Sequence, residues 1–279
     1  GATQINAGTL SLGGNNVLSD DTAVTVSGGT FDLAGNIDTV GSIAGGGNIT
    51  LGSGALTAGG DNSSTTFSGV ISDTGTGSFT KAGIGNLTLT GMNTYSGGTT
   101  VTAGTLTGDT DSLQGNITNN ATLTFDQGGP GTYSDVISGS GDLVKNGGGD
   151  VTLSGTNTYD GATSINAGTL SLGSNDVLSD DTAVTVSGGT FDLADNDDTV
   201  GSIAGGGSIT LGSGALTAGG DNSSTTFSGI ISESGSFTKV GSGTLTLEGI
   251  NTYSGGTTVS AGTLNTTGSG TLNNTGAVT

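Results

Sequence analysis

The 21-residue phrase NLTLTGMNTYSGGTTVTAGTL at residues 86–106 returns as DVTLSGTNTYDGATSINAGTL at 150–170 and as TLTLEGINTYSGGTTVSAGTL at 244–264. A chain that repeats one phrase three times must solve one packing problem three times, which imposes a repeat architecture before any single residue is weighed. Residues 1–10 match 161–170 in nine of ten positions, so the chain opens inside a fourth copy and reads as a window on a longer array. Residues 1–72 and 161–232 differ at seven positions, after which a shortening between Glu233 and Phe237 moves the offset from 160 to 158. The spacings of Leu10, Leu106, Leu170 and Leu264 are 96, 64 and 94 residues, so long units alternate with a shorter one that shares the same closing phrase. Such insertion by whole turns of chain suits a solenoid. The expected organisation is one continuous β-solenoid segment over 1–279, in which 1–160 is repeated incompletely by 161–279.

Local patterning specifies strands. Val24/Val26, Phe31/Leu33, Ile49/Leu51 and Leu87/Leu89 alternate with polar residues at a period of two, and no stretch keeps a helical apolar period over three turns. Fifty-nine glycines and a single proline, Pro130, fit short strands joined by tight turns. Aliphatic residues are scarce enough to raise disorder as the competing reading, but a solvated coil has no reason to keep paired apolar residues between turn signals.

The internal copies act as a substitution experiment. Ile37 corresponds to Asp197, and that exchange is tolerable only in solvent, because an unpaired buried carboxylate is costly. Thr90, Ser154 and Glu248 are read as outward in the same way, as are Asn86, Asp150 and Thr244, while Leu87/Leu89, Val151/Leu153 and Leu245/Leu247 face in. Val70 against Ile230 reads as a one-methylene change in the core. An all-β parallel β-helix satisfies these constraints: about 14 coils, stacked about 4.8 Å apart, would extend roughly 65 Å. Asn15, Asn16, Asn119, Asn120, Asn273 and Asn274 suit left-handed corners. An antiparallel sandwich is the alternative; it accounts for the SGG and AGG turns but not for the unbroken repeat phase.

The pattern K-x-G-x-G-x-L-T-L-x-G-x-N-T-Y-x-G-x-T, closed by A-G-T-L, resembles the passenger-associated repeat of autotransporters, the type V secreted surface proteins of Gram-negative bacteria. Lys81, Lys145 and Lys239, the chain's only cations, each precede a motif tyrosine (Tyr95, Tyr159, Tyr253) by 14 residues. The resemblance implies a right-handed parallel β-helix passenger, exported across the outer membrane and displayed or released at the cell surface. It also implies adhesive or self-associating relatives and a repeat tied to secretion and folding rather than to ligand binding. The signal sequence, C-terminal barrel and protease or lipase domain of a whole autotransporter are not in this stretch.

Chemistry is narrowed by composition. A net charge of −20 repels nucleic acid and anionic lipid. No apolar run approaches a membrane span, so direct membrane insertion is not expected. Without His or Cys, imidazole and thiolate metal sites and nucleophilic triads are excluded. Asp20/Asp21, Asp180/Asp181 and the Asp195, Asp197, Asp198 cluster are the best acid/base candidates for a polysaccharide-active β-helix enzyme, but they sit in repeated turns with no Arg or His to support developing charge. No catalytic residue and no required cofactor is therefore expected. Calcium stays open, since oxygen ligands suffice, although turn-forming Asp and Asn account for stretches such as GGDNSS.

For the lysines the choice lies between recognition of acidic glycan and a fixed ion pair or stem packed over a coil. For the tyrosines it lies between a sugar platform and a side chain packed at the coil edge with its hydroxyl bonded. Identical placement in each copy favours the structural reading of all six. The functional expectation is a non-enzymatic adhesive rod whose outer polar ladders make many weak contacts, with like molecules or with host or surface glycans and proteins. End-to-end assembly into a homo-oligomeric filament is the alternative.

Overall fold

The computed structural model describes residues 1–272. Those residues form 37 short strands of two to five residues and no helix. Strand pairings are parallel and join successive coils: Thr99 pairs with Ile117 and Leu56 with Phe79, 18 and 23 residues apart. This is a β-solenoid, and the antiparallel sandwich is excluded because parallel neighbours need the long return that each coil supplies. Asn273 and Asn274 lie outside the described residues.

The chain divides into two compact units: Gly1–Asp126 with Asp135–Gly141, and Gln127–Ser134 with the chain from Asp142 onward. Each has its own apolar interior. In the first, inward columns run Leu10, Phe31, Ile49, Ile71 and Leu56, Phe79, Thr99, Ile117, Ile137. In the second, Val151, Leu170, Phe191, Ile209, Ile231 and Leu216, Phe237, Thr257 do the same. Apart from the half-buried Leu10 of the opening coil, the aliphatic and phenyl residues of these columns are fully buried. Alternation across each strand leaves the intervening residues outside, as for Thr39, Thr57, Thr80, Thr100, Thr118 and Ser138, one above another on six coils of the first unit.

Ile37 and Asp197 are exposed, as the exchange between copies requires. The Val70/Ile230 position is a correction. Val70 is half-buried and Ile230 is 45% exposed, so this exchange is made at the surface, where two aliphatics are equally tolerated. Asn119 is a second correction: it is an extended, fully buried strand residue, not a left-handed corner. Asn16, with φ 51°, does adopt the left-handed form.

Candidate functional site

The lysine at the head of each phrase points into the coil. Lys81 occupies an inward column between Ala58 and Val101 and is 1% exposed. Its Nζ donates to the carbonyls of Ala82 (2.7 Å), Gly83 (2.8 Å) and, in the next coil, Ala103 (3.2 Å). Lys145 repeats this with Asn146 (2.7 Å), Gly147 (2.9 Å) and Ala167 (3.1 Å), and Lys239 donates to Val240 and Gly241 (3.0 Å). The first motif glycine explains the geometry: at Gly83 the positive φ of 65° turns the corner that carries the accepting carbonyl. The ammoniums of Lys81 and Lys145 thus clamp the turn that follows and, through the alanine of A-G-T-L, the turn stacked above, while that of Lys239 holds the turn that follows it. Burial lowers the pKa of Lys81, and of Lys239 against the opposing pull of Asp221. These side chains are neither surface stems nor available to an acidic glycan.

The tyrosines close a different corner. Tyr95, Tyr159 and Tyr253 are at most 1% exposed, and their hydroxyls lie 2.7, 2.5 and 2.6 Å from Oγ1 of Thr99, Thr163 and Thr257, four residues on. Thr99 Oγ1 itself donates to Gln114 O (3.1 Å), which makes Tyr95 the donor to Thr99. Phe79 and Phe237 pack against Tyr95 and Tyr253 at centroid distances of 6.3 and 6.4 Å. Burial pushes the Tyr95 phenol up to about 12, with its bonds to Thr99 and Gln114 opposing. A ring inside the coil offers no platform to a sugar.

Asparagine in N-T-Y was missed as a site residue, although its recurrence in all three phrases was the available signal. Asn93 is buried, accepts from Ile71 N of one neighbouring coil (2.7 Å) and donates to Ser112 O of the other (2.6 Å). Asn251 likewise accepts from Ile231 N (2.9 Å) and donates to Thr271 O (3.2 Å). A side-chain amide carries both a donor and an acceptor, so one residue can stitch three coils.

The acidic candidates do not converge. Asp20, Asp21, Asp180 and Asp181 are exposed turn residues. Asp195 Oδ1 accepts from Ser213 N (2.7 Å) and Asp197 Oδ1 from Ala215 N (2.7 Å). Asp198 points the other way: it is 2% exposed, its Oδ2 accepts from Val177 N (3.0 Å) and Leu178 N (3.2 Å), and its Oδ1 has no partner. Burial raises its pKa to about 7, opposed by the Leu178 and Val177 amides and reinforced by Asp176. Asp38 makes the same pair of contacts to Val17 and Leu18. Among the described residues no group of three or more acids is placed to hold a metal ion.

Residues 79–107, 143–172 and 237–266 match the passenger-associated-transport-repeat. Each match contains one motif lysine and the A-G-T-L turn of the next coil, which the ammonium reaches from Lys81 and Lys145, so in these two the family's unit coincides with the pair of stacked corners just described. The adhesin BmaC autotransporter of Brucella suis biovar 1 (strain 1330) is 38% identical over 305 residues, which cover 86% of this chain and 9% of that protein. The chain carries the passenger repeats of autotransporters. It spans under a tenth of the length of this curated relative. No solved structure matches it. A passenger of this kind is exported across the outer membrane and stands at the cell surface. Among the described residues no helix is long and apolar enough to cross a membrane.

Proposed function

We propose that this passenger segment is adhesive and non-enzymatic, and that the lysine, tyrosine and asparagine of each phrase hold the coils together while recognition belongs to the outer faces. The observation that carries the reading is the 38% identity to a protein named an adhesin, taken with the burial of all six motif lysines and tyrosines. Two features support it. The one acid whose pKa is raised into the neutral range, Asp198, lies inside the coil where no substrate reaches it. Outside, the threonine column from Thr39 to Ser138 presents hydroxyls and methyls at the coil spacing, suited to many weak contacts with like molecules or with surface glycans and proteins.

The test is retention of segment-coated beads on host-cell and abiotic surfaces under flow, beside incubation of the segment with acidic polysaccharides. Retention above that of uncoated beads, with no new reducing or unsaturated ends, is expected. Retention no greater than for uncoated beads would refute adhesion, and newly formed ends would refute the non-enzymatic reading.

A further inference from the structure

The two long copies differ at one corner in a way that exposes a pair of backbone donors. In the second copy, Gly212 N donates to Glu233 Oε2 (2.6 Å) and Ser213 N to Asp195 Oδ1 (2.7 Å), so two carboxylates fill a concavity made by successive amides. In the first copy residue 35 is glycine, and Asp73, the counterpart of Glu233, turns its Oδ2 instead to Gly77 N (2.9 Å) and Ser96 N (2.9 Å). The equivalent amides, Gly52 and Ser53, donate to no acceptor among the described residues. They line an open cavity of about 420 Å³, whose other walls carry the hydroxyls of Thr9, Thr30, Thr50 and Thr74 and the carboxylate of Asp32.

We propose that the Gly52–Ser53 amide pair binds the carboxylate of a uronic-acid-type saccharide whose ring hydroxyls meet the threonines and Asp32. The carboxylates of Asp195 and Glu233 show which chemistry these amides accept. Asp32 is ionised and its charge counts against an anion, but Ala34 N (2.9 Å) and Thr50 Oγ1 (2.8 Å) hold its Oδ1 and Ser11 Oγ (2.8 Å) its Oδ2, and the second copy tolerates Asp192 at the same corner beside Asp195 and Glu233. The polar lining favours a polyol over an apolar acid. Gly35 itself makes the room, because a Cβ there would lie 3.2 Å from Ser53 Oγ and 3.8 Å from Ser53 N.

The inference deepens the adhesive reading by giving it a saccharide subsite, and its test does not depend on adhesion. Sodium glucuronate, glucose and sodium acetate are titrated separately into the ¹⁵N-labelled chain. Glucuronate should shift the Gly52 and Ser53 amide resonances saturably, with a millimolar dissociation constant, and leave Gly212 and Ser213 unmoved. Glucose and acetate should each bind about tenfold more weakly or worse, since each lacks half of the contacts. Gly35→Asp installs the second copy's own carboxylate at a φ of 80°, close to the 71° that Asp195 adopts, so the variant keeps the fold and should lose about tenfold or more in glucuronate affinity. No saturable response at Gly52 and Ser53, equal binding of acetate, or undiminished binding by Gly35→Asp would each overturn the proposal. A chain that adheres without a glucuronate response refutes the subsite alone, and one that binds glucuronate without adhering refutes adhesion alone.

Discussion

The corner at Gly35 and the corner at Asp195 are built on one backbone turn, with Ala34 and Ala194 both at φ 49°, yet they present opposite chemistry. The first offers open amides and an exposed isoleucine, Ile37; the second carries Asp195 and Asp197, each caught by an amide of the stacked coil. Inside, the two copies do not differ: Val24/Val184, Phe31/Phe191, Ile49/Ile209 and Phe67/Phe227 are unchanged and buried. All seven substitutions between residues 1–72 and 161–232 spare the buried aliphatic and aromatic positions. The difference shows where such a protein can change. Each coil's interior is bound by close packing to the coils on either side, whereas an outer corner answers only to water and to the amides beside it.

The strongest way to break this comparison is to attack the interior that both copies share. Lys81→Met keeps the stem but strands the carbonyls of Ala82, Gly83 and Ala103, and should cost about 3 kcal/mol in urea denaturation followed by circular dichroism. Lys239→Met should cost a similar amount, and a loss under about 0.5 kcal/mol in either would mark its lysine as a surface residue.

A smaller effect, dependent on pH, is expected at Asp198. Its pKa of about 7 in the folded chain stands above the ordinary carboxylate value, so the folded state holds a proton that the unfolded state gives up. That stabilisation is complete below about pH 4 and is lost as the pH rises through about 7. Asp176 acts in the same sense, since its negative charge opposes ionisation of the group, while the buried Tyr159 phenol, its pKa raised, stays neutral across that window. Asp198→Asn should flatten the stability profile over that window by about 4 kcal/mol, and an unchanged profile would show that Asp198 does not titrate there.

Tyr95→Phe removes the donor to Thr99 while leaving the ring against Phe79, for a cost of about 1 kcal/mol measured in the same denaturation assay. The smallest effect sharpens the contrast from outside. Ile37→Asp, which copies the second corner into the first, should change stability by under about 0.5 kcal/mol. A cost above about 2 kcal/mol would mean that the outer corner is coupled to the interior after all.

Much of this is legible in the sequence. Alternation placed Leu87/Leu89 and Phe31/Leu33 inside, and the Ile37/Asp197 exchange marked the outside, because burial of an unpaired charge leaves so few choices. Val70/Ile230 was misjudged for the complementary reason: two aliphatics are acceptable on either side of the wall, so their exchange carries no directional information. The lysines were singled out by their spacing, but not the direction in which they point, since a lysine in a strand satisfies its ammonium equally well in water or on a ring of carbonyls.

By itself the sequence determined the repeat, the strand period and the class of fold, since these follow from spacing along the chain and from the cost of burying polar groups. Only the tertiary structure decided that Lys81, Ala82, Gly83 and Ala103 form one clamp, that Asn93 joins the coils on either side of it, and that Gly52 and Ser53 keep their amides open where Gly212 and Ser213 do not. The physical reason is that a hydrogen bond between coils joins residues about 20 apart. Its partner is set by how the coils stack, which no local pattern records.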